Sequence, residues 1–258
     1  MTDVWINGSF VPAEGAAVPS LTGSEAGLFE TVLVRDGAPV LLDSHLDRIL
    51  ASARSARTLS LPDRRPLAAA CRELPGRVGL SRGRMRIALV RDRTAVSCEP
   101  FEGYAEALYR DGAPAVLAGT PGHPLADRAG HKVLPYTPLL EARESARQEG
   151  AIEVIFHAAD GALLEGSASN VFVVVGGRLR TPPLSRRILP GVVRGAVLEQ
   201  AGRLGLEAAE RDVWIRDLAR AQEAFLTGSL MEVLPLVRVG DLEIPIGPIA
   251  PRLLAALR

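Results

Sequence analysis

Turn dipeptides recur along this sequence between short apolar runs, and they constrain the fold more than any other feature. An Asn-Gly or Asp-Gly pair in that setting is a strong signal of a β-hairpin or tight turn. The predicted strand pairs are followed by helices without a regular strand–helix alternation, which indicates an α+β fold. The turns predicted in this way lie at Asn7-Gly8, Asp36-Gly37, Asp111-Gly112 and Asp160-Gly161.

Apolar periodicity places the longer elements and a domain boundary. A helix starting at Asp43 or Ser44 is predicted from one apolar stripe, formed by Leu46, Ile49, Leu50 and Ala53. The β-branched run Val171–Val175 predicts a strand that is buried on both faces. The pattern is lost near residue 109, so we predict a small domain over 1–109 and a larger one over 110–258.

Composition narrows the functional classes. The 258 residues contain 30 basic and 30 acidic side chains, and this balance argues against a protein dedicated to nucleic acid or to membrane surfaces. Two cysteines outside any CxxC pattern argue against a disulfide framework or a metal site, and they fit a cytoplasmic location. The N-terminus shows no signal-peptide pattern, and no run approaches the roughly 20 apolar residues of a membrane helix.

Six short motifs follow one another in a chemically meaningful order. They are Phe29-Glu30-Thr31, His45-Leu46-Asp47-Arg48, His131-Lys132-Val133-Leu134-Pro135-Tyr136, Glu165-Gly166-Ser167-Ala168-Ser169-Asn170, Leu189-Pro190-Gly191-Val192-Val193-Arg194, and Phe225-Leu226-Thr227-Gly228-Ser229. In their order and spacing, from Trp5 to Pro235, the sequence resembles the class IV aminotransferases. That family includes D-amino-acid and branched-chain aminotransferases and 4-amino-4-deoxychorismate lyases.

The resemblance implies a two-domain enzyme of fold type IV that uses pyridoxal 5′-phosphate (PLP). Its expected architecture is a small N-terminal α/β domain and a larger C-terminal domain with a β-barrel-like core and flanking helices. It also implies a homodimer acting on a small-molecule amino-acid-type substrate.

Lys132 is the residue expected to carry the cofactor as a Schiff base. It is the single lysine of the sequence, and arginine side chains carry all the remaining positive charge when histidine is neutral. A lysine amine is a nucleophile when it is neutral, which arginine never becomes under ordinary conditions. By resemblance Lys132 also moves the proton at Cα, and Tyr136 contacts the phenolic oxygen of the cofactor.

The resemblance assigns further cofactor contacts. Glu165 is expected to keep the pyridine nitrogen protonated, which strengthens the ring as an electron sink. Val192 and Val193 open a predicted helix, whose free N–H groups bind anions. Ser229 and Arg48 are expected to complete the phosphate site, although the helical pattern taken by itself predicts an exposed Arg48.

The reaction within the family is less constrained, and we take pyruvate elimination from 4-amino-4-deoxychorismate as the first expectation. Thr31 occupies a position where the lyases have threonine. The alternative is amino-acid transamination, in which Arg91, Arg93 or Arg128 binds the substrate carboxylate. The expected substrate contacts are Thr31, Arg91, Ala168 and Ser169. An alternative of another class is a binding module that has the fold but no activity.

Overall fold

The computed structural model describes residues 3–56, 59–119 and 130–258. The strands are β1 (Asp3–Ile6), β2 (Ser9–Pro12), β3 (Gly27–Arg35), β4 (Ala38–Pro39), β5 (Gly83–Val90), β6 (Arg93–Pro100), β7 (Ala113–Gly119), β8 (Val133–Leu134), β9 (Glu153–His157), β10 (Leu163–Gly166), β11 (Asn170–Val175), β12 (Arg178–Thr181), β13 (Ala208–Glu210), β14 (Glu223–Gly228), β15 (Glu232–Val239) and β16 (Leu242–Glu243). The helices are α1 (Leu42–Ser55), α2 (Arg64–Arg77), α3 (Glu106–Asp111), α4 (Thr137–Gln148), α5 (Val192–Arg203), α6 (Ile215–Leu218) and α7 (Ile249–Leu257).

The chain divides into two compact units. Unit 1 comprises Met1–Gly103 with His131–Thr137, and unit 2 comprises Tyr104–Gly130 with Pro138–Arg258. This partition differs at two segments from the domains 1–109 and 110–258, which remain our proposal. His131–Thr137 groups with unit 1 because β8 pairs with β3. Residues 104–109 group with unit 2, where the Tyr109 hydroxyl donates to the Met231 carbonyl at 3.2 Å.

Unit 1 is an antiparallel sheet with two helices packed on it. Its strand order is β2-β1-β6-β5-β3-β4, with β8 added beside β3. The predicted hairpin at Asn7-Gly8 is confirmed by the β1–β2 pairing, and both turn residues have positive φ. The predicted helix is also confirmed, although α1 begins at Leu42. Its apolar stripe packs with α2 and with alternate residues of β3 and β5 in one core.

Unit 2 is built around a closed six-stranded barrel. The strands follow the order β10-β9-β7-β15-β14-β11, and an additional pairing of β10 with β11 closes the ring. Alternate side chains of β11, among them Val171 and Val173, fill the barrel interior. Phe172 and Val174 point outward and pack with α5 and α7. The prediction that Val171–Val175 is buried on both faces is therefore confirmed for Val171–Val174, while Val175 is partly buried.

Helix α7 is held against the barrel by a buried carboxylate. Glu223 begins β14 and accepts hydrogen bonds from the backbone N–H groups of Ile249, at 2.9 Å, and Ala250, at 2.5 Å. Burial raises the pKa of this carboxyl group, while the two N–H donors oppose the rise. Glu223 thereby satisfies two amides at the start of a helix, which have no partner within the helix.

The predicted loop over residues 120–130 lies, apart from Gly130, outside the described residues, as does Arg128. Within the described ranges, no helix combines the length and the apolar character needed to cross a bilayer.

We expect Glu223→Gln to lower the free energy of unfolding by about 1–3 kcal/mol, because an amide would oppose one N–H donor with another. Urea denaturation measures this change, and Glu243→Gln, at an exposed position of the same unit, is the matched control with little expected effect. Equal midpoints for the wild-type chain and Glu223→Gln would contradict the assigned capping role.

Candidate functional site

Strand β3 of unit 1 presents different chemistry on its two faces. Successive side chains of a strand point to opposite sides of the sheet. Leu28 and Val32 belong to the core that includes α1 and α2, and Glu30 lies on that face. Phe29 and Thr31 point to the opposite face.

Glu30 forms a buried ionic network with α1. Arg48 donates through Nε and Nη2 to the two oxygens of Glu30, each at 2.7 Å, and His45 Nδ1 lies 2.8 Å from Oε2. Burial would raise the pKa of Glu30, but the charge of Arg48 and hydrogen bonds from both partners lower it from 4.5 to about 2. The Arg48 side chain is 11% exposed. The exposure that the helical pattern predicted for Arg48 is therefore wrong, because Glu30 draws it against β3.

The segment carrying Lys132 is fixed to unit 1 through its backbone. The Lys132 carbonyl accepts from the Phe29 N–H at 2.9 Å, and the Tyr136 N–H donates to the Leu21 carbonyl at 2.7 Å. His131 Nδ1 lies 2.8 Å from the hydroxyl of Ser52 on α1. These bonds, together with the β3–β8 pairing, set the position of Lys132 with respect to β3.

Two aromatic rings flank the Lys132 amine. Lys132 Nζ lies 4.7 Å from the centroid of Phe29 and 4.8 Å from that of Tyr136. The two rings meet edge to face, with centroids 4.9 Å apart. The amine thus lies against two aromatic side chains that belong to unit 1, as Lys132 does.

Arg86 occupies the same face of the sheet as Phe29 and Thr31. It is the register partner of Thr31, and its Nη1 donates to the Thr31 hydroxyl at 3.0 Å. Its guanidinium carbon lies 5.2 Å from the Phe29 centroid. Burial, with a smaller effect of the Arg84 charge, lowers the pKa of Arg86 to about 10, so it stays cationic at neutral pH. This arginine lies outside the six sequence motifs.

Two other arginines of the β5–β6 hairpin, Arg91 and Arg93, lie elsewhere. Arg91 is exposed in the turn, with φ 37°, and Arg93 Nη2 donates to both carboxylate oxygens of Glu25. Arg91 and Arg93 therefore contact neither Thr31 nor Phe29 in any interaction that unit 1 displays, whereas Arg86 contacts both.

Glu165 in unit 2 is a buried carboxylate with fixed hydrogen bonds. Its two oxygens both accept from the Leu189 N–H at 3.0 Å, and Oε2 also accepts from Asn170 Nδ2 at 3.2 Å. Glu165 and Asn170 are register partners across β10 and β11. The Asn170 amide also donates to the Leu189 carbonyl at 3.1 Å, so one side chain ties this hairpin to the segment before α5.

The loop between Glu165 and Asn170 is organised by a residue that the motifs did not include. Glu153, at the start of β9, accepts hydrogen bonds from Ser167, Ala168 and Ser169. Ser169 is buried and Ala168 is exposed. The expected substrate contacts at these two positions are thus placed differently, and only Ala168 presents its side chain to the surface of unit 2.

The start of α5 approaches the same hairpin. The first helical bond to the Gly191 carbonyl comes from Gly195, so the N–H groups of Val192 and Val193 have no acceptor within the helix. A Cβ on Gly191 would lie 1.9 Å from Asn170 Oδ1, and only glycine permits this approach. The Val193 side chain packs in the core between α5 and the barrel, which leaves its backbone as the polar group.

Strand β14 adds hydroxyl groups beside Asn170. Thr227 is the register partner of Asn170, and Ser229 follows in the turn to β15. The Thr227 hydroxyl is buried and has no hydrogen-bond partner among the residues that the structure describes. Unit 2 thus gathers a fixed carboxylate, helix N-terminal amides and hydroxyls around one end of β11.

Comparison with known proteins identifies the family of the chain. The family model for amino-transferase class IV matches residues 27–239. A branched-chain-amino-acid aminotransferase of Escherichia coli K12 is 28% identical, over 96% of this chain and 88% of that protein. An aminodeoxychorismate lyase of Bacillus subtilis is 25% identical, over 92% and 87%. A PLP-bound structure of a hypothetical aminotransferase from Mycobacterium tuberculosis is 26% identical, with a TM-score of 0.84, over 99% and 98%.

The family match and the fold define a PLP-dependent enzyme of the transaminase and lyase group. The chain belongs to the class IV aminotransferase family, and the predicted fold type IV architecture is confirmed. The donor set of unit 2 fits a phosphorylated pyridine, because a buried carboxylate suits a ring nitrogen and amides with hydroxyls suit a phosphate.

We expect Glu30→Gln to remove the part of the acid-dependent stability that Glu30 contributes. A carboxylate whose pKa is lowered on folding stabilises the protein above pH 4.5, and this contribution is lost as the pH falls toward 2. The contribution is on the order of 3 kcal/mol near neutral pH. Urea denaturation from pH 2 to 7 measures it, with exposed Glu99→Gln as the control. If the free energy of unfolding of Glu30→Gln fell with decreasing pH as steeply as that of the wild-type chain, the assigned role of the Glu30 network would be contradicted.

Proposed function

We propose that this enzyme transfers the amino group of an α-amino acid to a 2-oxo acid. One observation carries the proposal: the Arg86 guanidinium and the Lys132 amine lie beside the same Phe29 ring. An α-amino acid carries its amino group one carbon from its carboxylate. Arg86 would pair with the carboxylate through charge-assisted hydrogen bonds, and the reacting carbon would then lie on the Lys132 side. We assign to Arg86 the carboxylate recognition first expected of Arg91, Arg93 or Arg128.

The cofactor contacts follow the chemistry of the donors in each unit. Bound PLP supplies a ring that withdraws electrons from Cα of the substrate. Lys132 would hold the cofactor covalently and move the proton at Cα. Glu165 would hold the proton on the ring nitrogen, because a carboxylate fixed by Leu189 and Asn170 presents negative charge without having to reorganise.

Phosphate and phenolic-oxygen contacts complete the proposed set. The N–H groups of Val192 and Val193 and the hydroxyl of Ser229 would bind phosphate oxygens. Tyr136 would contact the phenolic oxygen. Arg48 donates to Glu30 through Nε and Nη2, and by the family resemblance it would also supply positive charge to the phosphate site.

Pyruvate elimination from 4-amino-4-deoxychorismate, which yields 4-aminobenzoate, is the second candidate reaction. The observation that favours it is the place of Thr31, where the lyases have threonine. The Thr31 hydroxyl is oriented by Arg86 on the face that also carries Phe29. The Bacillus subtilis relative bears the name of this activity.

A spectroscopic titration separates the two reactions. The visible absorbance of the PLP-loaded protein is followed while L-amino acids, D-amino acids and enzymatically made 4-amino-4-deoxychorismate are added in turn. For the aminotransferase, one class of amino acid bleaches the band and a 2-oxo acid restores it. For the lyase, pyruvate and 4-aminobenzoate appear without an amino acceptor. Loaded protein that turns over none of these substrates would contradict both proposals.

Two further proposals concern assembly and location: the first rests on the family resemblance and the second on the cysteine content. The enzyme is expected to be a homodimer, which light scattering of the loaded protein tests. It is also expected in the cytoplasm, where PLP-loaded protein would be recovered on cell fractionation.

Lys132→Ala should lose the visible band of the bound cofactor and reduce turnover by at least about 10²–10⁴-fold, the range for a general acid–base group. No second lysine can replace the amine. Lys132→Arg is the matched control, because it keeps the charge but not the nucleophile, and it should lose the band as well. An unchanged band in pure Lys132→Ala would exclude Lys132 as the attachment point.

Arg86→Gln should raise KM for the amino acid about 10–100-fold, the cost of one charge-assisted contact, with a smaller change in kcat. Steady-state kinetics measure both constants, and melting temperatures verify folding. Arg91→Gln, in the exposed turn of the same hairpin, should behave as wild type. A raised KM in Arg91→Gln, with an unchanged KM in Arg86→Gln, would show that Arg91 and not Arg86 binds the carboxylate.

A further inference from the structure

Glu153 is a fully buried carboxylate that gathers donors from one short loop. Its Oε1 accepts from the Val154 N–H at 3.1 Å, the Ser167 N–H at 3.1 Å and the Ser167 hydroxyl at 2.5 Å. Its Oε2 accepts from the Ala168 N–H at 3.2 Å and the Ser169 hydroxyl at 3.0 Å. The side chain is 0% exposed, so water does not compete for these bonds.

This loop connects the two residues that bear on the ring-nitrogen contact. Residues 167–169 join β10, which carries Glu165, to β11, which begins at Asn170. The packing is tight, since a Cβ on Gly166 would lie 2.2 Å from the Ser169 hydroxyl and 3.0 Å from the Glu153 carboxyl carbon. A shift of the loop would therefore be transmitted to the Glu165–Asn170 pair.

We infer that Glu153 is a positioning residue for Glu165. By fixing the loop between β10 and β11, it sets the place of the Glu165 carboxylate and of the Asn170 amide that donates to it. The inference rests on the proposed function, in which Glu165 holds the proton on the ring nitrogen of PLP. Glu153 itself touches neither substrate nor cofactor in this role.

Glutamine cannot reproduce the arrangement. Each oxygen of Glu153 faces at least one backbone N–H, from Ser167 on one side and from Ala168 on the other. Hydroxyl groups can rotate to accept a bond, but backbone N–H groups are always donors. Either orientation of an amide at position 153 would therefore set NH₂ against a backbone donor and displace the loop.

Glu223→Gln is a matched control for the same substitution. Glu223 is also buried in unit 2, and each of its oxygens also faces a backbone N–H, from Ile249 and Ala250. It pairs with Val174, at the far end of β11 from Asn170. Both variants should lose stability, but only Glu153→Gln should affect Glu165.

The first measurement uses hydrogen exchange of the cofactor-free protein. In Glu153→Gln the Ala168 amide should exchange about tenfold faster or more, as expected for the loss of its hydrogen bond to Glu153. The Ser167 amide should accelerate less, because it also donates to the Val154 carbonyl at 3.3 Å. In Glu223→Gln these amides should keep wild-type rates once global stability is taken into account. Wild-type rates in Glu153→Gln would overturn the inference.

The second measurement follows the visible absorbance of bound PLP against pH. Glu153→Gln should shift this dependence in the same direction as Glu165→Gln, and turnover should fall about tenfold or more. In the Glu165→Gln background the Glu153 substitution should add little, because both act on one contact. Fully additive effects, or a shift of equal size in Glu223→Gln, would overturn the inference.

A milder variant covers the case in which Glu153→Gln does not fold. Ser169→Ala removes a single donor from Oε2 and should give the same shifts at reduced size, while an unchanged pH dependence would count against the role of the loop. Hydrogen exchange and absorbance require no turnover. A protein that binds PLP, shows these shifts and yet converts no substrate would contradict the proposed function and leave the positioning role of Glu153 supported.

Discussion

The pairing of β10 with β11 is the constraint on which unit 2 depends. Without it, the strand order of the sheet would end at β10, and the sheet would have an open edge. Closure through this pairing turns the strands into a barrel, and it makes Glu165 and Asn170 register partners. The same pairing therefore closes the apolar interior of the barrel and fixes the relative positions of the buried Glu165 and Asn170 side chains. A slip of one residue would send each side chain of the hairpin to the opposite face.

In unit 1, a single strand, β3, positions two separate groups of side chains. Because β3 alternates, Glu30 is available to Arg48 and His45 on the helical face, while Phe29 and Thr31 are available to Lys132 and Arg86 on the other. The buried carboxylate is stabilised by the charge of Arg48 and by hydrogen bonds to Arg48 and His45, and these contacts fix α1 against the sheet. The rigid sheet then holds the aromatic ring that the amine and the guanidinium share.

The local elements were predictable from the sequence because they depend on near neighbours. Asn7-Gly8 adopts the positive φ values of a tight hairpin, and Val171–Val174 is buried as its composition indicates. The motif around Glu165 was also recognisable, and the structure shows that carboxylate to be buried. Arg86 was not separable from Arg84, Arg91 and Arg93, because its surroundings depend on its register with Thr31 across β3 and β5. Glu153 opens a strand whose next three residues are apolar, and all but one of its donors come from a loop that only barrel closure brings near.

The flanked amine at position 132 has a consequence for the chemistry of the whole chain. Aldehydes condense with side-chain amines, and PLP in solution reacts with the exposed lysines of proteins in general. This sequence places its surface cations on arginine, whose guanidinium stays protonated and does not form such adducts under ordinary conditions. Lys132 is the one lysine, and Phe29 and Tyr136 cover two sides of it. Among the side chains, Lys132 is therefore the one amine with which the aldehyde of PLP can form a Schiff base. No other lysine competes with it for the cofactor.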